Sequence, residues 1–69
     1  MTHKEFLKNV GMEIKVARIR KGLSVPELCD ITKLSKSCIW NIENGNTDTK
    51  ILSYKRIADA LQIEVKNFL

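Results

Sequence analysis

The stretch Ser35-Lys36-Ser37-Cys38-Ile39-Trp40-Asn41-Ile42-Glu43-Asn44-Gly45 holds the residues of this chain best suited to recognition chemistry. Read as a helix, it places Ile39 and Ile42 three apart on one face. Lys36, Ser37, Trp40, Asn41 and Asn44 then recur at spacings of three and four on another face. A solvated face normally carries mixed charges, whereas this one carries a cation, a hydroxyl, amides and an indole. Lysine can donate to guanine acceptors, asparagine can pair with adenine, serine suits either, and an indole can pack on a thymine methyl. The competing reading of the same residues is an ordinary wet helix face, with Trp40 folded back over the domain's own apolar surface.

Other chemistries find little support. Cys29 and Cys38 are too few for a disulfide scaffold, and no metal-ligand spacing accompanies them or the single histidine, His3. They fit inert thiols in a reduced, cytoplasmic protein better than a redox pair. No nucleophile-base-orienter set or phosphate-cradling loop is present, so neither an enzyme nor a cofactor is expected. Met1 to Val10 lacks the apolar segment of a signal peptide. No apolar run approaches the ~20 residues that span a bilayer, so no membrane partner is expected. A net charge of +4 and a pI near 9.3 fit a polyanionic partner such as nucleic acid.

With 69 residues, 43% of them hydrophobic, the chain can build one small domain spanning residues 1–69. Thr2-His3-Lys4-Glu5 has the form of a capping box. Phe6, Val10, Ile14 and Ala17 continue on one helical face. Gly11 interrupts at a cost of ~1 kcal/mol, which predicts a separate or bent turn over the first ten residues. Lys21-Gly22 closes this helix. Ser24-Val25-Pro26-Glu27 is a second capping box, opening a helix to about Thr32 that buries Leu28 and Cys29. After a short turn, Ser35 caps the third helix, which ends at Asn44-Gly45. A polar loop follows from Asn46 to Thr49. Ile51, Tyr54, Ala58 and Leu61 mark a fourth helix, and a short fifth from about Glu64 buries Val65 and Phe68. No alternating strand pattern occurs, so the expected fold is all-α with five helices.

Two capped helices joined by so short a turn must cross steeply, as in a helix-turn-helix. "IKVARIRKGLSVPELCDITKLSKSCIWNIENG", from Ile14 to Gly45, continued by "RIADALQI", resembles the Cro/C1-type (lambda-repressor-like) family. The resemblance covers nearly all the chain beyond the first ten residues, with the helix-turn-helix proper over about 25–44. It implies that helix three enters the major groove of double-stranded DNA and presents Lys36, Ser37, Trp40 and Asn41 to base edges. It implies that Ser35, Asn44, Asn46, Thr47 and Lys50 meet the sugar-phosphate backbone. It also implies an ion pair between Arg18 and Glu43 that ties helix one to the end of helix three. Family members often dimerise near the last helix, which points to Val65, Phe68 and Leu69.

Three positions depart from the family pattern. Lys33 stands where the turn usually has glycine, so it must adopt a left-handed conformation. Val25 replaces a glutamine that often holds a phosphate, and Trp40 replaces a small or polar residue. The expected function is sequence-specific DNA binding by a small transcriptional regulator, a repressor acting as a homodimer on a two-fold operator. The rivals are a protein-interaction module that kept the fold, drawing on Trp40 and Val25, and the DNA-binding partner of a toxin (an antitoxin).

Overall fold

The computed structural model describes residues 2–68. Four α-helices follow in order: α1 (His3–Arg20), α2 (Val25–Thr32), α3 (Lys36–Glu43) and α4 (Ile51–Leu61). No strand occurs among the described residues. Among them too, no helix is long and apolar enough to cross a membrane.

Local chemistry explains where each helix starts and stops. The Thr2 hydroxyl accepts from the Glu5 backbone N–H at 3.1 Å, but it also donates to the Glu5 carboxylate, which is not drawn back to the Thr2 backbone as a full box requires. The box at α2 is complete. Ser24 Oγ accepts from Glu27 N–H at 3.2 Å, and Glu27 Oε1 accepts from Ser24 N–H at 2.9 Å. Those hydrogen bonds favour the charged carboxylate and hold Glu27 below the usual glutamate value. Ser35 Oγ caps α3 by accepting from Cys38 N–H at 3.0 Å. Helix α1 ends in a Schellman motif, with Leu23 N–H bonded to Arg18 C=O and Gly22 N–H to Ile19 C=O. Gly45 and Asn46 close α3 in the same way, on Ile42 and Asn41.

The core gathers Val10 and Ile14 from α1, Leu28 from α2, Ile39 and Ile42 from α3, and Tyr54, Ile57, Ala58 and Leu61 from α4. Helix α3 packs against both α1 and α2, so it is held from behind on two sides.

Four expectations change. First, α1 runs unbroken through Gly11, because a Cβ there would collide with the Ile42 carbonyl oxygen and lie 2.6 Å from that of Glu43. The glycine admits the end of α3 against α1, and this contact outweighs its poor helix propensity. Second, the fifth helix is a single 3₁₀ turn, Val65–Asn67. The Asn67 side chain accepts from Glu64 N–H at 3.1 Å and draws the segment into the tighter winding. Third, Phe6 and Ile51 are exposed, because the first turns of α1 and α4 flank the loop between α3 and α4 rather than the core. Fourth, Cys29 and Val65, expected to be buried, are partly so and pack against the core.

Candidate nucleic-acid interface

The candidate surface rests on the turn between α2 and α3. The chain reverses over three residues because Lys33 adopts φ 63°, ψ 21°, and its N–H returns to the Cys29 carbonyl at 2.8 Å. Left-handed lysine is strained, and Thr32 steadies it. The buried Thr32 hydroxyl donates to Leu28 C=O at 2.7 Å and accepts from Leu34 N–H at 3.3 Å. Sequence reasoning overlooked Thr32, although a threonine four residues after Leu28 carries the signal for such a back-bond.

From this turn α3 projects with Ile39 and Ile42 fully inward. Lys36, Ser37, Trp40 and Asn41 line one open cleft of about 270 Å³ on the opposite side. Lys36 and Ser37 are exposed, Asn41 is half-buried, and Trp40 leaves 57% of its surface in solvent. The indole therefore does not fold back over its own domain. The four side chains offer a cation, donors, acceptors and an apolar plate within one recess.

The end of α3 is fixed by the Arg18–Glu43 pair. Arg18 Nε donates to Glu43 Oε2 at 2.7 Å and Nη2 to Oε1 at 3.2 Å. Arg18 Nη1 donates to Leu23 C=O at 2.8 Å, so the same guanidinium also holds the link to α2. The two side chains are 11% and 5% exposed. A bidentate pair this well buried is orienting as well as attractive.

The loop that follows packs against α1. A Cβ on Gly45 would lie 2.7 Å from Lys8 Cα, so the chain leaving α3 presses against the backbone of α1. His3 Nε2 lies 3.7 Å from Asp48 Oδ2. Tyr54, in α4, is buried and feels the Asp48 carboxylate. Burial, then the Asp48 carboxylate, push its phenol above the ordinary value, and a hydrogen bond with the Thr49 backbone opposes them. Asn46 and Lys50 are exposed and Thr47 is half-buried. Lys50 precedes α4, which has no side-chain cap. Asn44 is partly committed, since its Nδ2 donates to the Trp40 carbonyl at 2.8 Å and caps α3. Val25 packs against the core, away from any phosphate role.

The three residues named for a dimer edge lie apart from this surface. Val65 is half-buried, Phe68 is 4% exposed and belongs to the core of its own chain, and Leu69 lies outside the described residues.

Solved structures supply the decisive comparison. The restriction-modification controller protein C.AhdI from Aeromonas hydrophila superposes with a TM-score of 0.87 at 27% identity, over 91% of this chain and 96% of its own. The fold is that of helix-turn-helix transcriptional regulators, consistent with the Cro/C1 type. An HTH_3 family transcriptional regulator from Vibrio cholerae superposes at 0.88, also with 27% identity, over 97% of this domain but 38% of the regulator. The DNA-binding domain of BldD shares the fold at 0.85, with 20% identity over the whole domain. No protein-family model and no curated sequence matches the domain.

Proposed function

We propose that this domain binds double-stranded DNA as a small cytoplasmic transcriptional regulator, a repressor, with α3 in the major groove. The observation that carries the reading is the open cleft of Lys36, Ser37, Trp40 and Asn41 on the second helix of a helix-turn-helix. Base edges in the major groove present the donors, acceptors and methyl groups that such a set complements. Around it, Ser35, Asn46, Thr47 and Lys50, with the remaining donor of Asn44, hold the sugar-phosphate backbone and fix the register. The resemblance to C.AhdI and to the Vibrio cholerae regulator supports the assignment. A domain this small reads few base pairs, so two copies on a two-fold site supply the specificity, joined near the C-terminal turn that carries Val65.

A second reading draws on exposed apolar groups: Trp40 and Ile31 suit a protein partner as well as DNA. Binding to a random-sequence duplex over a salt series separates the two. DNA binding gives a linear fall of log affinity with log salt. Negligible affinity with no slope moves the interaction reading ahead.

A further inference from the structure

The first turns of α1 lie beside the loop assigned above to the DNA backbone, and two separate contacts place them there. Lys8 packs so closely on Gly45 that a Cβ there would meet its N and Cγ at 2.8 Å as well as its Cα. One turn earlier, His3 reaches Asp48. Residues 3 and 8 of α1 thus align with residues 48 and 45 of the loop, and the Lys8 stem runs past the residue between Asn44 and Asn46. Lys4 stands four residues before Lys8, on the same face of α1. Both are exposed, and neither carries an ion pair or side-chain hydrogen bond among the described residues. Lys55 and Lys66, by contrast, are paired with Asp59 and Glu64. The His3 imidazole faces Asp48, which sets a cation-capable group against the one carboxylate of that loop.

We infer that Lys4 and Lys8 form a phosphate-binding extension of the interface, gripping the DNA backbone next to the segment held by the loop. The inference rests on the DNA-binding reading. It adds a contact made by residues that precede the part of the chain resembling the helix-turn-helix family, and it assigns them anchoring without sequence choice, since phosphates are alike in every sequence.

The test compares Lys4→Gln, Lys8→Gln, Lys50→Gln and Lys66→Gln on a random-sequence duplex across a salt series. Glutamine keeps the stem that packs on Gly45, and thermal melts confirm that each variant stays folded. Removing one cation from a phosphate lowers the magnitude of the log–log salt slope by about 0.9. The expected result is that reduction for Lys4→Gln and for Lys8→Gln, with Lys66→Gln unchanged. A reduced slope for Lys50→Gln alone overturns the extension and leaves the DNA-binding reading standing. Absence of salt-dependent binding by the unaltered domain overturns both.

Discussion

Arg18 and Glu43 show how much one residue pair can control. Glu43 sits in the last turn of α3, almost out of solvent, with both oxygens on the guanidinium. Glu43→Ala strands a buried cation and is expected to destabilise the domain by about 3–5 kcal/mol. Thermal melts of Glu43→Ala, Arg18→Ala and the double mutant measure the coupling, and strict additivity contradicts it. At the exposed start of α2, Glu27 offers a subtler case. Its carboxyl is held below the usual value in the folded state by the Ser24 bonds. The stability it adds is therefore present above the unfolded value and is lost as pH falls through the lowered folded one. The stability gap between the unaltered domain and Glu27→Ala should narrow in acid. A gap that stays constant from neutral to acid pH contradicts this assignment.

At the scale of elements, the starts and stops of α2 and α3 were legible because their causes are local. Ser24, Glu27, Ser35 and the Asn44-Gly45 pair act through bonds within a few residues. Gly11 could not be read from local rules: propensity predicts a break, while the approach of α3, far along the chain, demands a glycine inside a continuous helix. Gly11→Ala gains the ~1 kcal/mol of helix propensity but drives a methyl into backbone carbonyls that cannot swing aside. Net destabilisation of about 1–3 kcal/mol is expected from urea unfolding, in the range of an overpacked core. A stabilised Gly11→Ala would show that α1 and α3 do not meet as described. The last turn escapes local rules for a similar reason, since Phe68 has the pattern of a helix face yet serves as a plug at the end of a single 3₁₀ turn. Periodicity likewise overruns the core at Phe6 and Ile51, where helix outlasts its buried neighbours.

For the whole molecule, the four-residue recess of α3 was legible as a face, and the structure adds that the face is open and its backing hydrogen-bonded and closely packed. Arg18 secures the end of α3, Thr32 secures the turn before it, and α1 backs the loop behind it. Such backing fixes the orientation of side chains that, in the proposed function, meet base edges within hydrogen-bond distance. The backing of the loop was hidden from the sequence, because it joins His3 and Lys8 to residues in a distant part of the chain, Asp48 and Gly45. The central claim is that α3 chooses the sequence while its surroundings only anchor. The most direct measurement is a set of binding isotherms for Asn41→Ala and Lys36→Ala on the preferred site and on every single-base variant of it. Asn41→Ala should cost about 1–3 kcal/mol on the preferred site and relax the choice at one base pair, and Lys36→Ala should do the same at a guanine. If both variants keep the full site preference of the unaltered domain, α3 is not the reader.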